Sequence, residues 1–135
     1  GALAELGTVH SLVVHGEPGL DEISPLGDTT VIELRGSEMK RFTFRLEDVG
    51  LAPMRPAELA GAEPARNAEI VERVLIGRAT PGAESAVVLN AGAALYVGGK
   101  AKDIVAGIEL AREVLKSGAG WDALGRLRRA SPSRR

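Results

Sequence analysis

The chain has 135 residues, 44% of them hydrophobic and 26% charged, which is the makeup of one globular domain with a real core. A net charge of −1 gives no overall field to attract nucleic acid or an anionic membrane, and aromatics at 3% offer little for stacking on bases. The lack of cysteine excludes a disulfide framework, a thiolate metal site and a cysteine nucleophile, and it fits a cytoplasmic protein.

In chain order, Ala2 to Gly7 reads as the last turn of a helix with its glycine stop, so the chain is expected to be a fragment that starts inside a helix. Leu12 to Val14, with Val9 upstream, predicts a buried parallel strand. Residues 16 to 30 carry Gly16, Pro18, Gly19, Pro25 and Gly27 and predict turns. Thr30 to Leu34 and Met39 to Phe44 alternate polar and apolar residues around Arg35-Gly36-Ser37-Glu38, the pattern of an antiparallel hairpin. Ile32 and Leu34, with Phe42 and Phe44 across the turn, are expected to form its buried side. Glu47 to Gly61 predicts a long connection with at most a short helix near Pro56 to Ala60.

Pro64 suits a first helical position, and Ala68, Val71, Val74 and Leu75 follow at helical spacing up to a stop at Gly77. A second helix is predicted over Glu84 to Val97, apolar nearly all round and therefore buried on most sides. Its apolar run from Ala86 is interrupted by Asn90 and is too short to span a bilayer. Asp103 is a good cap for a third helix carrying Ile104, Ile108, Ala111 and Leu115 on one face, with Gly118 as its end. Trp121, Leu124 and Leu127 suggest a final amphipathic helix. Residues 1–130 read as a single α/β segment and residues 131–135 as a disordered basic tail. One parallel strand and a hairpin make too few strands for a closed sheet and would leave an open edge, which again points to a missing part.

The chemistry concentrates at Asp21 and Glu22, adjacent carboxylates in a Gly/Pro turn just past the first strand. Ligands in open α/β sheets bind beyond the carboxyl ends of strands. Two carboxylates there suit a hard cation such as Mg²⁺, which takes oxygen ligands and keeps several waters. The residues by themselves favour a solvated acidic turn, since such turns are common. His15 can touch substrate or position the loop, and Gly16 and Gly19 serve backbone geometry. Asn90 on its apolar helix needs a polar partner in a loop or a neighbouring helix. Lys100 and Lys102 read as surface residues able to attract phosphate, and Arg126, Arg128, Arg129, Arg134 and Arg135 as a solubilising basic end.

The motif Val14-His15-Gly16-Glu17-Pro18-Gly19-Leu20-Asp21-Glu22 resembles the acidic metal-binding motif of the anthranilate phosphoribosyltransferase family. Pro64-Ala65-Arg66-Asn67-Ala68, Leu89-Asn90-Ala91-Gly92-Ala93-Ala94-Leu95-Tyr96, Gly99-Lys100-Ala101 and Gly107-Ile108-Glu109-Leu110-Ala111 resemble further segments of that family, in its order. The resemblance implies the C-terminal part of a nucleoside phosphorylase/phosphoribosyltransferase-like α/β domain, with a parallel strand, an antiparallel hairpin and three to four packing helices. It implies that Asp21 and Glu22 bind Mg²⁺, which holds the pyrophosphate of phosphoribosyl pyrophosphate while anthranilate attacks the ribose.

The family's first half resembles a helical dimerisation domain followed by a Gly-Thr-Gly-Gly-Asp phosphate loop and residues that contact anthranilate, none of which occurs in this sequence. The fragment alone is therefore expected to be inactive, and the full-length protein is expected to be a cytoplasmic homodimer acting on neither membrane nor nucleic acid. Two alternatives stand beside this reading: a pyrimidine nucleoside phosphorylase-like enzyme, and a non-catalytic relative that binds nucleic acid.

Overall fold

A computed structural model describes residues 1–131. Of the tail expected over 131–135, only Ser131 is described, exposed after the last helix; the rest of that segment lies outside the described residues.

Strands β1 (His10–Gly16), β2 (Thr29–Arg35) and β3 (Glu38–Phe44) form one antiparallel sheet in the order β1-β2-β3. The hairpin falls where its alternation predicts, turning at Gly36-Ser37 with Gly36 at φ +55°, as tight hairpin turns require. Leu34 and Phe44 are buried as expected, but they do not share one face. The register sets Val31 opposite Phe42 and Thr29 opposite Phe44, so the Phe residues share a face with Val31, while Ile32 and Leu34 lie on the other. Because side chains alternate with period two, an offset of one residue in the expected pairing exchanges the faces.

The expectation of a parallel, buried β1 is also corrected. Its strand partner among the described residues is β2, antiparallel, with Val14 opposite Val31. A run of apolar residues reads as buried on both faces, yet only Leu12 and Val14 pack against the core, and Val13 is 50% exposed.

One layer of helices covers the inner face of the sheet. The short α1 (Ala2–Glu5) ends at Gly7, whose φ of +73° matches the expected glycine stop. Helix α2 (Pro64–Leu75) carries proline in its first turn and stops at Gly77, φ +68°. The buried helix starts three residues earlier than predicted. In α3 (Pro81–Val97), Pro81 opens the first turn, where its missing N–H costs nothing, and Thr80 caps it by accepting from the Ala83 N–H at 3.3 Å. Asp103 caps α4 (Ile104–Lys116), accepting from the Ala106 N–H at 2.7 Å, as its position predicts. Helix α5 (Ala119–Ala130) forms, but the expected apolar face is poorly covered, with Leu127 60% exposed. The connection between sheet and α2 holds two single turns, Leu46–Val49 and Pro56–Glu58.

The core joins Val31 and Phe44 of the sheet, Ile23 of the first loop, Leu46 and Val49 of the connection, and the facing sides of α3 and α4. Those two helices meet backbone to backbone. A Cβ on Gly92 would lie 2.6 Å from Ile108 Cα, and one on Gly107 would lie 2.2 Å from the Gly92 carbonyl oxygen. This contact fixes where α3 sits over the sheet, and α3 carries the residue that holds the loop after β1.

Candidate metal-binding site

The loop after β1 is built by backbone closure first. The Gly16 and Leu20 backbones exchange hydrogen bonds at 2.9 and 2.7 Å, and the Glu17 N–H donates to the Asp28 carbonyl at 2.9 Å. Gly16 has no room for a side chain, since a Cβ there would meet the Glu22 carbonyl oxygen and Ser24 Cβ at 2.6 Å. The acidic segment therefore folds directly against the strand end, and the expected backbone role of Gly16 is borne out. Gly19 takes φ +131°, a conformation that L residues rarely adopt. Downstream, Ser24 is fully buried. Its N–H donates to Thr29 Oγ1 at 3.0 Å, and its hydroxyl donates to the Glu17 carbonyl.

Between these two anchors the chain bends at Asp21 and Glu22. Asp21 is exposed and Glu22 half-buried. Burial, and next the neighbouring Asp21 charge, push the Glu22 carboxyl above the usual carboxylate range. The pair is a concentration of negative charge that the protein leaves without a cation partner among its ion pairs in the described residues. No group of three or more His, Cys, Asp or Glu forms a metal cage among the described residues. Two carboxylates at the water boundary fit a hard dication that keeps most of its ligands as water or phosphate oxygen, as Mg²⁺ does.

Asn90 holds this loop from below. Its Oδ1 accepts from the Ile23 N–H at 2.8 Å, and the two hydrogens of its Nδ2 are shared among the Ala86 carbonyl at 2.9 Å, the Ile23 carbonyl at 3.0 Å and, as the longest contact, Glu22 Oε2 at 3.3 Å. The partner that the sequence demands for this amide is thus the acidic loop itself.

Glu22 also lies on the wall of a 650 Å³ cleft between α2 and α3, whose polar lining includes Arg66, Asn67, Arg73 and Arg78. The volume is that of a small-molecule site. Arg66 pairs with Glu69 at 2.5 Å. Arg66 and Arg73 lie seven residues apart on α2, two turns along one face, and Arg78 follows just past its end, so helical spacing within α2, read alongside the cleft, is the signal that brings them together.

The other sequence candidates fall elsewhere. His15 is exposed on the sheet face opposite the helices. Lys100 and Lys102 lie in the turn beyond the far end of α3, and neither makes an ion pair with Asp21 or Glu22 among the described residues. The described part of the basic end is tied down in places, with Arg128 paired to Glu72 of α2. Glu33, which reads as an ordinary polar position of an alternating strand, is a partly buried junction. One of its oxygens accepts from Tyr96 Oη at 2.5 Å and Arg35 Nε at 3.0 Å and lies 2.9 Å from His10 Nε2. Burial would raise its pKa, but the hydrogen bonds from Tyr96, Arg35 and His10 outweigh it and hold the carboxyl below the usual range.

With the loop, the clamp and the helix layer defined, the comparisons place the chain. The profile of the glycosyl transferase family, a/b domain, matches residues 1–121, and the chain belongs to that family. Within it, the chain is similar to anthranilate phosphoribosyltransferases. It is 47% identical over 127 residues to the one from Anaeromyxobacter sp. (strain K), covering 94% of this chain and 37% of that protein. It is 43% identical over 130 residues to the one from Rubrobacter xylanophilus, covering 96% and 38%. Among solved structures, anthranilate phosphoribosyltransferase from Thermus thermophilus superposes with a TM-score of 0.82 at 39% identity, over 93% of this chain and 36% of that one. The Saccharomyces cerevisiae enzyme in complex with PRPP and Mg superposes with a TM-score of 0.74 at 28% identity, over 84% and 33%. The chain thus spans little more than a third of the length of the relatives it matches.

Proposed function

We propose that this chain provides the C-terminal portion of an anthranilate phosphoribosyltransferase, with Asp21 and Glu22 as its Mg²⁺-binding pair. The observation that carries the reading is the acidic loop. The loop that carries the two carboxylates is folded against a strand end, held by a half-buried amide, and the pair is left without a protein cation among the ion pairs of the described residues. The similarity to a yeast enzyme seen with PRPP and Mg supports the choice of ligands.

In the proposed reaction the amine of anthranilate attacks the ribose ring carbon of phosphoribosyl pyrophosphate, and pyrophosphate leaves with the bonding electrons. A Mg²⁺ ion bound at the pair supplies stabilisation of the negative charge that grows on that leaving group. Asp21 and Glu22 would hold the ion. Gly16 and the Asn90 clamp keep the loop from reorganising as charge develops, and Ile23 keeps water from the loop's inner side. No residue of this chain needs to form a covalent intermediate, since positioning and charge stabilisation carry such transfers. The complete enzyme is read as a cytoplasmic homodimer on the family resemblance; among the described residues, no helix is long and apolar enough to cross a membrane. By itself the 135-residue chain is expected to show no turnover.

The test is loss of anthranilate fluorescence with phosphoribosyl pyrophosphate and Mg²⁺, using a polypeptide that joins this chain to the upstream segment its relatives carry. Activity abolished by Asp21→Asn with Glu22→Gln supports the enzyme and the pair together. Activity that survives the double change returns the pair to a structural role. A polypeptide inactive with anthranilate refutes the assignment.

A further inference from the structure

We propose that Asn90 positions Glu22 for the cation, holding one carboxylate oxygen so that Glu22 offers the other alone, and that this favours Mg²⁺ over Ca²⁺. The proposal rests on the metal-binding reading of the acidic pair and adds to it the residue that sets cation choice.

Three observations carry it. First, Asn90 lies within a helical stretch that is otherwise Ala, Val, Leu and Gly from Ala86 to Leu95, so an amide there is expensive unless satisfied. Every one of its bonds outside its own helix goes to Glu22 or Ile23. Second, it grips both the N–H and the carbonyl of Ile23, at 2.8 and 3.0 Å, as a neighbouring strand would. Ile23 is fully buried, so this two-point hold fixes the backbone directly after Glu22. Third, its contact with the Glu22 side chain is to Oε2, and Oε1 accepts no hydrogen bond from the described residues.

Carboxylates that ligate metals are commonly oriented by hydrogen bonds from a supporting residue. Mg²⁺ demands near-octahedral geometry with short bonds, which one oxygen per carboxylate satisfies. Ca²⁺ accepts the narrow bite of both oxygens and a larger ligand number. A glutamate with Oε2 tied to an amide and Oε1 free is therefore matched to the smaller ion. Simple loop support by Asn90 would leave the ratio of the two affinities unchanged.

The experiment uses the polypeptide joined to its upstream segment, with Mn²⁺ as a paramagnetic probe and Mg²⁺ or Ca²⁺ as competitor. Asn90→Asp keeps an acceptor for the Ile23 N–H and loses the donor to Glu22; Asn90→Ala loses both. The added charge in Asn90→Asp raises affinity for either cation, so the preference ratio is the readout. The expected result is a fall in the Mg²⁺/Ca²⁺ preference of about tenfold in both variants, the lower end for loss of a supporting hydrogen bond at a metal ligand. An unchanged ratio overturns the proposal while leaving the metal pair intact. A wild type that binds neither Mn²⁺ nor Mg²⁺ overturns the metal reading and the proposal together. If the variants do not fold, infrared carboxylate bands of the wild type decide, with Glu22→Gln assigning the signal. One-oxygen binding on Mg²⁺ addition supports the proposal and two-oxygen binding refutes it.

Discussion

Gly107→Ala puts one methyl group where α3 and α4 touch through their backbones. The new Cβ would sit 2.2 Å from the Gly92 carbonyl oxygen and 3.0 Å from its carbonyl carbon. Carbon–oxygen contacts of this kind settle at about 3.3 Å, so the helices must part by roughly 1 Å. No flexible side chain can give way, because the obstacle is main chain. Overpacking of this sort costs about 1–3 kcal/mol, offset by the roughly 1 kcal/mol by which alanine favours a helix over glycine. With main chain as the obstacle the upper end of that cost applies, and a net loss of about 2 kcal/mol is expected in urea unfolding. Where α3 takes up the shift, the 2.8 Å bond from Ile23 to Asn90 lengthens beyond hydrogen-bond range, and the cation affinity of the acidic loop falls with it. Gly125→Ala is the control. It also lies inside a helix, but its Cβ meets nothing nearer than Arg129 Nη1 at 3.6 Å, so it is expected to be neutral or stabilising by up to about 1 kcal/mol. A Gly107→Ala protein as stable as wild type, or tracking Gly125→Ala, would refute the backbone contact and its link to the loop.

Three further outcomes are expected. Tyr96→Phe removes the 2.5 Å bond to Glu33 and should cost about 1.5–3 kcal/mol, the range for hydrogen bonds to charged groups. Because Glu33 titrates below its ordinary value, that contribution is full above the unfolded carboxyl pKa of about 4.3 and fades as pH falls through the folded value; unfolding curves at pH 7 and pH 3 should show the gap and then its closure. Glu22→Gln works in the opposite sense. The folded carboxyl is pushed upward by burial and Asp21, so its charge weakens the metal-free fold at neutral pH and protonation relieves it. The variant should melt no lower than wild type without metal, and Mg²⁺ should no longer raise its Tm. Asp103→Ala removes the α4 cap at 2.7 Å and should cost about 1 kcal/mol, with faster hydrogen exchange at Ala106 as the local sign.

What could be read in the sequence was mostly local. Pro64, Asp103 and the glycines at positions 77 and 118 marked helix ends because caps and left-handed stops act within one turn. Pro81-Gly82 misled because proline both separates elements and opens them, and only the Thr80 cap distinguishes the two. The strand faces were not legible. Val31, Ile32 and Leu34 are all apolar, so the alternation leaves the choice of face to pairing with Val14 and Phe42. The acidic pair was found through its motif, and Asn90 through the incongruity of an amide among alanines and valines. That the two form one unit, and that Glu33 collects Tyr96, Arg35 and His10, depends on tertiary placement that no short window contains.

The clamp between Asn90 and Ile23 closes a span of 67 residues. Hairpin and helix turns form from neighbours, whereas a contact this distant waits until the intervening chain has been gathered in. The acidic loop can close its local bonds on its own, but it gains the Asn90 clamp only once α3 has docked on it. A ribosome-bound or truncated chain ending before α3 has both carboxylates but not the amide that contacts Glu22 and Ile23. If the pair binds Mg²⁺ as proposed, affinity for the ion is expected to depend on α3 having docked, so that it reports completed folding.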